Sequence, residues 1–162
     1  IARLLYAMKT ILRFTLLLAL AVAAQAGEGW LTDPIKAKEQ AVKENKVIFV
    51  EFTGSDWCPP CKKLKGSVLT TDVFREYAKK KLVLLELDYP KRTEQPAELK
   101  AQNEKLKQRF RITGFPTVII LDKNSRELAR WVAFGGETPE AYIAKINPAI
   151  AKQLAATTTQ AR

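Results

Sequence analysis

The chain has 162 residues, enough for one domain with its own core, and apolar side chains make up 47% of it, which excludes a disordered chain. It contains no histidine, which excludes Ser-His and Cys-His nucleophile pairs and His-ligated metal sites. Lys and Arg number 27 against 17 acidic residues; the lysines alternate with glutamates without aromatic interleaving, which reads as a solvated basic surface and not as a nucleic-acid face.

Met8 to Arg13 is a short basic start, Phe14 to Ala24 is an apolar run of 11 residues, and Ala24-Gln25-Ala26 gives an A-x-A site before Gly27. This is the layout of a secretory signal peptide, so residues 1–26 are expected to be removed near Ala26-Gly27. An uncleaved membrane anchor is the alternative, although the run falls short of the roughly 20 residues that span a bilayer. Residues 1–7 precede the only Met and read as an over-extended start. Cleavage leaves 24 basic and 17 acidic side chains, a net charge of +7.

Asp33-Pro34 predicts a helix start, with Asp33 as N-cap, in an N-terminal region 27–46 that reaches about Asn45. Its apolar face is thin, which suits packing on an edge. Val47 to Phe52 is β-branched, aromatic and nearly all apolar, as a strand buried on both faces requires. Thr53 to Asp56 is a turn cluster. A helix from about Cys58 puts Cys61, Leu64 and Val68 on one face, and Thr71-Asp72 restarts it. Leu82 to Asp88 predicts a second buried strand, ended by Tyr89-Pro90. Lys91 to Gln95 is a polar loop, and Pro96 opens a charged helix to Phe110 with Leu99, Leu106 and Phe110 inward. Thr117 to Leu121 and Glu127 to Val132 predict a hairpin about a turn at 122–125. Thr138-Pro139-Glu140 opens a last helix carrying Ile143, Ile146, Ile150 and Leu154 in step, with a possible kink at Pro148 and a frayed tail over 157–162. The order α-β-α-β-α-β-β-α is an α/β arrangement: a mixed sheet covered on both faces, with a C-terminal hairpin and helix.

Both cysteines lie in Trp57-Cys58-Pro59-Pro60-Cys61-Lys62. A disulfide closing so small a loop stabilises weakly, which argues against a structural staple. A structural zinc needs about four ligands, and two thiols without His or a second CxxC do not supply them, so no metal is expected. A redox pair fits best. At a strand-to-helix junction, free backbone N–H groups and the helix dipole favour a thiolate at Cys58, and Cys61 one turn on can resolve a mixed disulfide.

Three stretches resemble the thioredoxin superfamily: Val50-Glu51-Phe52, Trp57 to Lys62, and Gly114-Phe115-Pro116-Thr117. They occur in the family's order, and the likeness covers about Val47 to Ala156. Phe52 to Trp57 resembles secreted thioredoxin-like proteins of Gram-negative bacteria in particular. The resemblance implies a thioredoxin fold over 47–156 and a cis-proline at Pro116 facing the cysteines. The Phe115 backbone would then be free to pair with an extended substrate segment. Glu51 matches the family's buried carboxylate, which would exchange a proton with the resolving thiol; the alternative is a strand surface residue. Trp57, with Pro59 and Pro60, would flank the pair and shape the docking surface, or Trp57 would simply pack in the core. Gly135 either leaves room for substrate backbone or ends a strand. Lys62 and Lys63 either add positive potential or are solvated.

Three departures from cytosolic thioredoxins stand out: one extra residue between Glu51 and Cys58, Pro59 in place of Gly, and an insertion over Lys91 to Gln102. The reading is therefore an exported, periplasmic or secreted thiol–disulfide oxidoreductase, monomeric and without a further cofactor. It would act as a reductase on protein disulfides, supplied by a membrane electron donor. The direction stays open to an oxidase or isomerase and to a reductant for cytochrome c maturation. A non-catalytic thioredoxin-like binding module or chaperone is the reading from outside enzymology.

Overall fold

The computed structural model describes residues 29–160, with side chains to residue 155; the expected signal peptide lies outside the described residues. Strand β1 is Trp30–Leu31. Helix α1 (Pro34–Glu44) starts where its sequence demands: Asp33 Oδ1 accepts the Ile35 and Lys36 amides at 2.8 and 3.3 Å, and Pro34 occupies a position whose N–H would be unused. It ends on Asn45 in the left-handed conformation, φ 50°. Strand β2 (Val47–Thr53) is buried throughout. Helix α2 (Pro59–Leu64) runs directly into a π-helical turn, Lys65–Leu69. Helix α3 (Asp72–Lys81) restarts on the N-cap Thr71, and β3 (Leu82–Asp88) follows at once. Helix α4 (Ala97–Arg109), the hairpin strands β4 (Thr117–Leu121) and β5 (Glu127–Val132), and helix α5 (Pro139–Gln160) complete the chain.

The five strands lie in the order β1-β3-β2-β4-β5. β2 is central, parallel to β3 and antiparallel to β4, so Glu51 stands opposite Glu86 on one side and Val118 on the other. Side chains alternate across a strand, and β2 therefore feeds two cores. Val47 and Phe49 pack with Leu64, Val68, Phe74 and Ile146 from α2, the π-turn, α3 and α5. Ile48, Val50 and Phe52 pack with Ala37 and Ala41 of α1, and with Leu106 and Phe110 at the end of α4. By this alternation Glu51 points to the first face, beneath α2. Fully burying each large apolar side chain contributes roughly 1.5–3 kcal/mol, so these two layers hold the sheet and fix what sits at its ends.

The structure corrects several details. The two-residue β1 extends the sheet and the short α1 buries two alanines, so residues 30–44 are joined to the same sheet and core. In α5 the buried stripe is Tyr142, Ile146, Ala149 and Gln153, while Leu154 is exposed. At 3.6 residues per turn that stripe is one face, and Leu154 falls about 100° off it. The helix passes through Pro148, and its backbone continues to Gln160, beyond the expected start of the tail. The buried residue of α4 is polar: Asn103.

Candidate active site

Cys58 and Cys61 are joined by a disulfide at the start of α2. Cys58 is the N-cap: its backbone is extended, and its sulfur accepts the Cys61 amide at 3.3 Å. The helix can begin here because Pro59 and Pro60 fill positions whose N–H groups would have no partner in the helix. Cys58 N–H donates to the Gly54 carbonyl at 2.9 Å, which ties the motif to the end of β2. Both cysteines are buried, 2% and 1% exposed, whereas Pro59 and Pro60 are exposed. A sulfur at a helix N-terminus faces unpaired amides and the positive end of the dipole, which stabilise it as a thiolate once the pair is reduced.

Glu51 is 1% exposed, and neither carboxyl oxygen has a hydrogen-bond partner. Burial, reinforced by the neighbouring Glu86 charge, pushes its pKa up to about 8, against the pull of the Lys65 charge. Lys65 comes from the π-turn and reaches Glu86 Oε2 at 3.2 Å. The result is a carboxyl that is mostly protonated at neutral pH on the sheet face that α2 covers.

Trp57, Phe115 and Tyr89 form one aromatic cluster. The Trp57 and Phe115 rings meet edge-on at 5.7 Å, Phe115 lies 5.2 Å from Tyr89, and Trp57 Nε1–H donates to the Tyr89 carbonyl at 2.7 Å. Trp57 is half-buried, so it packs and also faces outward. The Phe115–Pro116 peptide is cis. Its loop is held by the Thr117 hydroxyl, which donates to the Gly114 carbonyl at 2.8 Å, and by the Ala133 amide, which donates to the Pro116 carbonyl at 2.8 Å. Gly135 is exposed beyond β5, and its amide donates to Glu137.

Sequence reasoning missed Asp56, Tyr89 and Ala133. Ala133 adopts φ 68°, unusual for a non-glycine residue, while donating to the cis-proline carbonyl. Asp56 binds amides 35 and more residues away, and no local pattern signals that. Among the described residues no group of three or more His, Cys, Asp or Glu is placed to hold a metal ion.

Comparison with known proteins agrees with this geometry. Residues 35–150 match the family model for a thioredoxin-like domain. The chain is 34% identical over 115 residues to the disulfide bond reductase DsbH of Chlamydia pneumoniae, covering 71% of this chain and 69% of that one. It is also 34% identical over 109 residues to the thioredoxin-related protein DsbJ of the same organism, but there it spans 31% of the relative's length. A solved DsbH oxidoreductase superposes with a TM-score of 0.69 at 28% identity, covering 80% of this chain and 92% of that one. A thioredoxin from Thermus thermophilus, at 20% identity and a TM-score of 0.58, shares the fold. The chain belongs to the thioredoxin-like family and is a thiol–disulfide oxidoreductase with its CxxC pair at Cys58 and Cys61.

Proposed function

We propose that the protein is an exported reductase of protein disulfides. The observation that carries the reading is the position of Cys58 as N-cap of α2, with its sulfur on the Cys61 amide and an unpartnered carboxyl, Glu51, beneath the same helix. The Cys58 thiolate attacks one sulfur of a substrate disulfide; a mixed disulfide forms and the other substrate sulfur leaves as a thiolate. The Cys61 thiolate then attacks Cys58 Sγ, the second substrate sulfur leaves, and two electrons have passed to the substrate. Glu51, in its ionised fraction, accepts the Cys61 proton.

Pro59, Pro60 and Trp57 form the lip over the sulfurs. Phe115 and Pro116 offer backbone to an extended substrate segment, and Gly135 leaves the far side open. The direction is supported by the likeness to a protein named a disulfide bond reductase. Export to the periplasm, or secretion, is supported by the signal-like layout of residues 8–26. No helix among the described residues is long and apolar enough to cross a membrane. A membrane-bound donor would return electrons to the Cys58–Cys61 disulfide, and the working unit is a monomer.

The test is the reduction potential of the pair, by equilibration with glutathione or dithiothreitol and trapping of thiols. A value near that of thioredoxin, about −270 mV, supports a reductase. A value well above about −180 mV makes the protein an oxidant. A pair that forms no reversible disulfide leaves only a binding module.

A further inference from the structure

One side chain ties the segment between β3 and α4 to the cysteine motif. Asp56 Oδ1 accepts the Lys91 amide at 3.0 Å, and Oδ2 accepts the Arg92 and Thr93 amides at 2.7 and 2.9 Å. Three successive N–H groups converging in this way make an anion nest, filled here by the chain's own carboxylate. These bonds hold the Asp56 carboxyl below its usual pKa. Beside it, the Ser55 amide and hydroxyl bind the Asp88 carboxylate at 2.9 and 2.6 Å. The segment is thus clamped to the turn that leads into Cys58.

The clamp decides where positive charge sits. Lys91 Nζ lies 3.7 Å from the Trp57 ring centroid, a cation–π contact on a residue adjoining Cys58. Lys62 Nζ donates to the Asp56 carbonyl at 3.0 Å. Lys63 Nζ stands beside Gly136, 3.4 Å from where a β-carbon would lie. These three ammonium groups pair with no carboxylate among the described residues. Of the carboxylates nearby, Glu137 is paired with Lys145, while Asp56 and Asp88 keep their charge and turn it toward the 91–93 amides and Ser55. Glu94, in the same segment, lines a groove with Asp33 and Lys36.

We propose that the segment 90–95 is a specificity element: held by Asp56, it sets Lys91 beside Trp57 so that, with Lys62 and Lys63, the site favours protein disulfides flanked by acidic residues. The inference rests on the oxidoreductase reading, since it concerns which disulfides the Cys58–Cys61 pair meets. Exposed charge pairs are individually weak, and two or three together give about a five- to tenfold preference.

The test uses two disulfide-linked model peptides, identical except that Glu flanks the cysteines in one and Gln in the other. The readout is the ratio of their kcat/KM values, which a general loss of activity or folding leaves alone. The wild-type ratio is expected at about five to ten in dilute buffer, falling toward one at about 0.5 M salt as screening shortens. K91Q should lower it, and K91E should lower it further. A wild-type ratio near one overturns the inference while leaving the oxidoreductase reading intact. A ratio that survives both substitutions also overturns the assignment to this segment. Failure to reduce either peptide sinks both.

Discussion

Gly54 lies against the Trp57 indole so closely that a β-carbon on Gly54 would stand 2.5 Å from Trp57 Cε2. Nothing but a hydrogen fits there, so the position of the ring beside Cys58 depends on a residue without a side chain. Gly54→Ala must displace the indole, and its bond to the Tyr89 carbonyl and its edge contact with Phe115 go with it. The expected cost is about 1–3 kcal/mol of stability, as for other overpacked sites, together with a raised KM for peptide disulfides. Urea denaturation and substrate kinetics check both; unchanged stability would mean that the ring has another place to go.

Glu51 sets a pH dependence whose sign follows from its burial. Its folded pKa is raised to about 8 from 4.5. Below the lower value both states are protonated and the residue contributes no slope. Between the two the unfolded chain releases the proton and the folded chain keeps it, so stability falls as pH rises; above about 8 the loss levels off. Glu51→Gln should remove that loss, and the stability difference between variant and wild type should grow by about 1.4 kcal/mol per pH unit within the window. Parallel stability curves across pH 4.5 to 8 would contradict the raised pKa.

The same group should appear in the kinetics. Only the ionised form accepts the Cys61 proton, so the resolving step should quicken as pH approaches about 8 and lose that dependence in Glu51→Gln. Rapid mixing of the mixed disulfide at several pH values separates this step from the first attack.

The two cysteines should fail differently when replaced. Cys58→Ser leaves no thiolate at the helix start and should abolish reaction with substrate disulfides. Cys61→Ser keeps the attack but not the resolution, so mixed disulfides with substrates should accumulate and be visible by intact mass. Equal reactivity of the two variants would remove Cys58 as the attacking sulfur.

Asn103 is 1% exposed, and its Nδ2 donates to the Asp88 carbonyl at 2.9 Å, while the Tyr89 hydroxyl donates to its backbone carbonyl at 2.6 Å. Asn103→Leu fills similar space but removes the first bond, which should cost about 1–3 kcal/mol. A denaturation midpoint at the wild-type value would show that Gln95, which also donates to the Asp88 carbonyl at 3.2 Å, suffices alone.

Much of the frame was legible because the signals were local and strong. Val47 to Phe52 and Leu82 to Leu87 could hardly be other than buried strands, and Asp33-Pro34 and Thr71-Asp72 start helices where they stand. The cysteine pair at a strand-to-helix junction followed from the order of elements. What escaped was either too short to carry a period or made by distant partners. Trp30–Leu31 is two residues long, and the π-turn at Lys65–Leu69 has the composition of an ordinary helix. Asp56 reads as a turn residue, and its partners at 91–93 become visible only when β3 brings them alongside β2. Asn103 interrupts the apolar stripe of α4, and its acceptor lies on another element.

Among the described residues, strand β1 covers β3 only at Leu84 and Leu85, which leaves that margin of β3 partly open. An open strand margin invites other chains to add themselves to it. Past the covered stretch β3 continues through Glu86, Leu87 and Asp88, and the Asp88 carbonyl is already taken by the Gln95 and Asn103 side-chain amides. An incoming strand would meet carboxylates and an acceptor already in use. Strand addition is thereby discouraged along this end of β3, where the chain's own side chains already use what a newcomer would need.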